Sequence, residues 1–261
     1  MLTGIDRWTY RSRLRYVDPI PKLCLTGTAA VCCLCLGEIG VGLVTAVLMA
    51  ALTIGLGGTS PRVLLRAFRA PLAFLILGCL TVALDHQPVG SDMLAAVTIG
   101  GSLWGVSVSS LLWAAGIFCR ALGVVASVYF LAFTTPITDL CLALERLHVP
   151  RLLVELMELT YRFLFVLSGE AARIRVAQAS RLGYVNPRRG LESAGTLAAL
   201  VFLRAWKRGE RVYAALESRG YEGRLATLPV AYRRGLPLYG VAAGVVAVQV
   251  AVFFVQRGVM G

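Results

Sequence analysis

Six stretches of this chain contain no Asp, Glu, Lys or Arg: residues 23–37, 39–61, 70–84, 93–119, 121–138 and 235–256. No other feature limits the fold as much. A helix needs about 20 mostly apolar residues to cross the hydrocarbon core, within a range of roughly 17–25. A backbone in lipid has to satisfy its own hydrogen bonds, so a chain built of such runs folds as helices. The charged fraction is only 15%, in 261 residues that are 57% hydrophobic. Soluble domains carry about 25% charged residues, so this chain lacks the polar surface that a water-soluble globule of its size needs.

The runs resolve into five expected spans: about 20–37, 39–57, 68–84, 111–133 and 237–256. Gly37-Glu38-Ile39-Gly40 separates the first two and suits a tight hairpin at the membrane surface. Gly55, Gly57, Gly58, Ser60 and Pro61 end the second, and Asp85-His86-Gln87-Pro88 ends the third. The Gly- and Ser-rich stretch 85–110 reads as a loop, in which Trp104 suits an interfacial position. The first 22 residues hold Arg7, Arg11, Arg13, Arg15 and Lys22 and no long apolar run, so no cleavable secretory signal is expected. The first span then serves as the insertion signal.

The net charge of +12 would suggest nucleic acid in a soluble protein, but here its distribution follows the spans. Five Lys/Arg precede the first span, three lie at 58–70, sixteen at 134–236 and one after 256. The first hairpin and the 85–110 loop have none. Basic and Lys/Arg-free loops alternate, which places the N-terminus inside and the C-terminus outside by the positive-inside rule. The remaining cation, Arg120, falls near the middle of the fourth span. A charge at that depth faces protein or a cavity. Two readings stand for it: contact with a second membrane subunit or a carbonyl cluster, and snorkelling or a tie between two helices of this chain.

The basic segment 134–236 is patterned for helices. Pro136, Pro150, Pro187, Pro229 and Pro237 punctuate it. Thr134-Thr135-Pro136 opens a helix over 137–147, with Thr135 as its cap. A second helix runs from Pro150 to about Arg181, with Leu152, Leu156, Leu159, Phe163, Val166 and Ile174 on one face and Glu158 and Arg162 spaced to pair. A third covers roughly 190–219. The last two end alike, in Ser180-Arg181-Leu182-Gly183-Tyr184 and Ser218-Arg219-Gly220-Tyr221, 38 residues apart. Glycine at a helix C-cap and a cation at the negative end of the dipole are ordinary termination signals. The duplication also suits docking of two copies of one partner. Arginine, with its planar fork, makes directional contacts with carboxylates.

These residues carry a resemblance. Thr134-Thr135-Pro136, the run Leu156–Arg175 around Thr160-Tyr161-Arg162-Phe163, and the motifs Ser180-Arg181-Leu182 and Ser218-Arg219-Gly220 resemble the CbiQ/EcfT-type transmembrane components of energy-coupling factor transporters. Ile5-Asp6-Arg7-Trp8-Thr9-Tyr10, Asp18-Pro19 and Lys22-Leu23 are similar to the cobalt-type CbiQ branch. The resemblance implies an all-α polytopic membrane protein of about five transmembrane helices plus cytoplasmic coupling helices. It divides the chain into 1–133, with four spans, 134–234, the coupling region, and 235–261, the last span. It implies two ATP-binding cassette ATPase subunits docked at Ser180, Arg181, Leu182, Ser218, Arg219 and Gly220, a separate substrate-binding membrane subunit, and cobalt or nickel as cargo. ATP would bind the partners, and this chain would hold no cofactor and run no catalysis. The first motif departs from the family pattern, because Leu182 stands where a glycine is common and Gly183 follows one residue later.

The residues alone agree on what this chain is not expected to be. It has no GxxxxGK[ST] phosphate loop. Its two histidines, His86 and His148, fall on opposite membrane sides, whereas a cobalt or nickel site wants several nitrogen ligands. Cys24, Cys32, Cys33, Cys35, Cys79, Cys119 and Cys141 lie in or beside apolar runs and read as small buried hydrophobes. Alternatives remain: a component serving a vitamin-binding partner, an intramembrane enzyme, or a membrane scaffold without transport.

Overall fold

In the computed structural model, residues 8–87, 95–99, 102–221 and 232–260 are described, those of 84–106 by backbone alone up to Val106. Eight helices of ten or more residues occur among them: α1 Pro19–Leu36, α2 Ile39–Gly55, α3 Pro61–Ala83, α4 Val108–Thr134, α5 Ile137–Arg146, α6 Arg151–Ser180, α7 Pro187–Glu217 and α8 Leu236–Met260. The protein is all-α apart from one small sheet, and it is a multi-pass membrane protein. The helices α1, α3, α4 and α8 are long and apolar enough to cross a membrane, and α2 is a shorter apolar helix of 17 residues. At 1.5 Å per residue that length gives about 25 Å, close to the lower limit for a span.

The chain forms two compact units. One comprises residues 4–136 and 231–261, and the other is the insert 137–230. In the membrane unit α2 lies along α4, α1 packs on α8 and α4, and α3 rests on α4. Leu25, Ala29, Ala46, Met49, Ala126, Phe130, Leu238, Ala242 and Val245 form its core. Small residues set how close the helices come. A Cβ on Gly42 would lie 2.5 Å from the Cys119 carbonyl, and one on Gly123 would lie 2.8 Å from Gly42 O. Such backbone-to-backbone approach is how membrane helices gain packing energy, since burying apolar surface gains little in lipid. Gln249 is fully buried on α8 and donates from Nε2 to Ala29 O (3.0 Å) and Thr45 Oγ1 (2.7 Å), joining α8 to α1 and α2.

The exposed side of this unit is apolar. On α3, Leu65, Phe74, Ile76, Leu77 and Leu80 are all exposed, Phe74 by 75%. A water-soluble protein would not present that face, and a lipid-facing helix does.

Three expectations change. The third span is not the shortest: α3 begins at Pro61, whose missing N–H costs nothing in a first turn, and runs through Pro71 to 23 residues. Pro71 deprives Ala67 O of its helical donor. The Tyr129 hydroxyl on α4 donates to that oxygen at 3.0 Å, so the helix continues. The stretch after it is not all loop. Strands β1 Leu84–Gln87, β2 Ala95–Ile99 and β3 Ser102–Val106 pair antiparallel in the order β1-β3-β2, with His86 opposite Trp104 and Trp104 opposite Val97. The interfacial position expected of Trp104 concerns a side chain outside the described set. Thirdly, Thr135 closes α4, donating its N–H to Leu131 O, with extended backbone.

In the insert, α5 packs on α6 and α6 on α7. Arg151 bridges Glu145 (3.3 Å) and Glu155 (3.8 Å). The expected Glu158–Arg162 pair is not formed. Arg162 sits against the Phe163 ring, 5.4 Å from its centroid, and Glu158 faces Glu145 and Glu155. Burial, and then those two charges, push the Glu158 carboxyl above its usual range.

Candidate coupling site

The helices α6 and α7 stop by the same device. At the first, Gly183 N–H donates to Gln178 O (2.9 Å) and Leu182 N–H to Ala179 O (3.0 Å). At the second, Tyr221 N–H donates to Leu216 O (3.0 Å) and Gly220 N–H to Glu217 O (3.0 Å). These are the paired bonds of a Schellman motif, which needs one left-handed residue just past the C-cap. That residue is Leu182 (φ +60°) in one and Gly220 (φ +74°) in the other. Arg181 and Arg219 therefore each stand immediately before the left-handed residue, and both are exposed. The short helix α5 closes alike, with His148 left-handed (φ +64°), so His148 has a backbone task.

The expectation that Gly183 supplies the left-handed turn is corrected. Leu182 takes it, although the conformation costs a branched residue roughly 1–2 kcal/mol. Gly183 is used for contact: a Cβ there would lie 2.7 Å from Ser193 Oγ and 2.9 Å from Gln178 O. Ser193 Oγ donates to Gly183 O (2.8 Å), and Gln178 Nε2 donates to Ser193 O (2.9 Å). The Tyr184 hydroxyl donates to Gln178 Oε1 (2.8 Å). The start of α7 thus braces the Arg181 turn.

Between α6 and α7, Arg181 lines a groove of about 380 Å³ with Arg173, Gln178, Thr196 and Arg204. Glu170 on α6 accepts from Arg173 and from Arg204 Nη1 of α7, the latter at 2.6 Å. These two guanidiniums hold its carboxyl below the usual range. The sequence pattern does not point to this groove. Glu170 and Arg173 have local spacing, but Arg204 is 34 residues from Glu170 and carries no local signal.

Arg120 lies on α4 and donates from Nη2 to Gly37 O at 2.6 Å, at the C-cap of α1. Its Nε is buried without a hydrogen-bond partner. It borders a cleft of about 510 Å³ with Glu38, Ser109, Trp113 and Gly116. The guanidinium binds a carbonyl of its own chain and also reaches a cavity. The seven cysteines are free. No cluster of three or more His, Cys, Asp or Glu able to hold a metal occurs among the described residues.

Five apolar helices, interrupted by a compact helical insert that exposes two matched arginine-bearing ends, define a multi-pass membrane protein with an inserted helical unit. Residues 14–228 match the family of CbiQ, cobalt transport protein. The chain belongs to the CbiQ cobalt transport protein family. It is 32% identical over 222 residues to the cobalt transport protein CbiQ of Salmonella typhimurium, covering 85% of this chain and 98% of that one. It is 34% identical over 229 residues to the cobalt transport protein CbiQ of Rhodobacter capsulatus, covering 87% and 88%. A putative fused cobalt transport protein CbiMQ of Methanocorpusculum labreanum matches at 35% identity over 167 residues, 64% of this chain and 28% of the fused one. The chain is thus a membrane component of cobalt transport.

Proposed function

We propose that this chain is the transmembrane coupling subunit of an ATP-driven cobalt (or nickel) importer, linking two cytoplasmic ATPase subunits to a substrate-binding membrane subunit. The observation that carries the reading is the geometric identity of the Arg181 and Arg219 turns. Two equal turns on one insert suit two copies of one ATPase. A left-handed C-cap with its paired bonds is a stiff joint, so a force applied at the arginine is carried along the helix axis. In this reading α6 and α7 are the coupling helices, and Ser180, Arg181, Leu182, Ser218, Arg219 and Gly220 meet the ATPases, which bind ATP. In this reading the insert lies in the cytoplasm, with the N-terminus inside and the C-terminus outside, and the Lys/Arg distribution supports it. The putative fused relative CbiMQ, whose name joins CbiM to CbiQ, supports a membrane partner held close to this subunit. Arg120, beside an open cleft, is a candidate contact for that partner.

The test is reconstitution. ATPase subunits, the membrane partner and this chain are placed in liposomes, and radiocobalt uptake is followed with and without ATP. The proposal expects ATPase subunits to co-purify with this chain and ATP-dependent uptake to vanish when it is left out. Uptake that persists without this chain would overturn it.

A further inference from the structure

The helical insert leaves the membrane unit after Pro136 and returns before Tyr232, by two stems. Both stems are bonded to one segment, residues 8–22, at the start of the chain. On the outgoing side, Thr9 Oγ1 donates to Ala132 O (2.8 Å). Lys22 Nζ donates to Thr134 O (3.3 Å) and to Leu14 O (3.0 Å). On the returning side, Asp18 N–H donates to Arg233 O (3.2 Å) and Arg233 N–H to Tyr16 O (2.8 Å), a parallel bridge at Val17 and Arg233. Gly235 follows, and a Cβ there would lie 3.0 Å from both Val17 Cγ1 and Pro21 Cγ, so the returning stem fits closely against this segment. A third strap runs to the turn after α2: Arg13 N–H and Ser12 Oγ both donate to Gly57 O.

Lys22 stands at the centre of this arrangement. It is completely buried, although it lies in the first turn of a helix, where a cation meets the positive end of the dipole. The α4 C-terminus suits a lysine there: a buried ammonium donating to Thr134 O meets the negative end of that helix's dipole, where the chain turns toward the insert.

We propose that residues 8–22 form the mechanical anchor of the insert and that Lys22 is its positioning residue. It pins the outgoing stem to α1, while the Tyr16–Asp18 backbone pins the returning stem, so motion of the insert drives the membrane helices instead of flexing the stems. The inference rests on the coupling function proposed above. It assigns to the N-terminal segment a role in transmission and none in ATPase docking.

The experiment uses the complete complex in liposomes and measures cobalt taken up per ATP hydrolysed for wild type, Lys22→Met and Lys22→Arg. The proposal expects Lys22→Met to retain its ATPase subunits and hydrolyse ATP, with uptake per ATP lowered about five-fold or more, a modest coupling free energy. Lys22→Arg, which keeps a cationic donor, should recover much of the loss. If Lys22→Met does not assemble, Thr9→Val, which removes the Thr9 hydroxyl bond to Ala132 O, decides by the same ratio. An assembled variant with an unchanged ratio, or a loss that Lys22→Arg does not relieve, would overturn the anchor and leave the coupling function standing. A wild-type chain that retains no ATPase would overturn both.

Discussion

Gly42 on α2 and Gly123 on α4 meet backbone to backbone: a Cβ on Gly123 would lie 2.8 Å from Gly42 O and 2.9 Å from Cys33 Sγ. Only hydrogen fits at these points, and the membrane unit depends on it. Gly42→Leu or Gly123→Leu should separate α2 from α4. The cost should be at least the roughly 1–3 kcal/mol typical of overpacking, because backbone cannot move aside as a side chain does. Unfolding of detergent-solubilised protein should show this, while Gly78→Leu, where a Cβ meets nothing within 4 Å, should be tolerated.

The bond from Tyr129 to Ala67 O exists because Pro71 has no N–H to offer that carbonyl. Tyr129→Phe should cost about 1 kcal/mol, the usual size of such a bond between membrane helices. In a Pro71→Ala background the helix supplies its own donor and the cost should shrink. A double-mutant cycle reads this coupling directly. Equal costs in the two backgrounds would show that the hydroxyl does not serve that carbonyl.

Leu182 and Gly220 hold the same left-handed position, so equivalent changes should act in opposite senses. Leu182→Gly should stabilise the insert by up to about 1–2 kcal/mol, the cost of that conformation for a residue with a Cβ. Gly220→Ala should destabilise it by a similar amount. Gly183→Ala should also destabilise, through its close contact with Ser193 Oγ and Gln178 O. Thermal melting of the purified protein checks all three.

Glu170 ties α6 to α7 through Arg173 and Arg204, which lower its carboxyl below the ordinary value of 4.5. With a depressed folded-state value, its contribution to stability is present above the unfolded value. It is lost as pH falls through the lower, folded one. Acidification from neutral to below pH 4.5 should therefore loosen the pairing of α6 with α7, seen as faster amide exchange in α7. Glu170→Gln should show that faster exchange already at neutral pH and lose this part of the acid dependence.

Much of this fold is legible in the sequence because lipid imposes a simple rule. Runs without charge become spans, and α1, α2, α4 and α8 start and stop within three or four residues of the bounds those runs suggest. The Arg219-Gly220 end of α7 is equally legible, since a glycine in a left-handed cap is a local feature. What the sequence conceals is set by partners far along the chain. A proline in an apolar run gives no notice that Tyr129, 58 positions later, will satisfy its freed carbonyl. Leu182 takes the left-handed turn while Gly183 packs close to Ser193, which no single-residue preference reports. Arg204 reaches Glu170 only once α6 and α7 are packed. The pairing of β1 with β3, 16 or more residues apart, likewise carries no local signal, and the Gly- and Ser-rich stretch reads as loop.

The central claim concerns Arg181 and Arg219, and one measurement meets it most directly: ATPase retention and ATP-driven cobalt uptake by the reconstituted complex carrying Arg181→Ala and Arg219→Ala together. The account predicts normal membrane insertion, with the ATPase subunits lost or hydrolysis no longer driving uptake, and smaller defects for each single change. A double variant that keeps its ATPases and transports undiminished would contradict it, leaving both arginines as helix caps and nothing more.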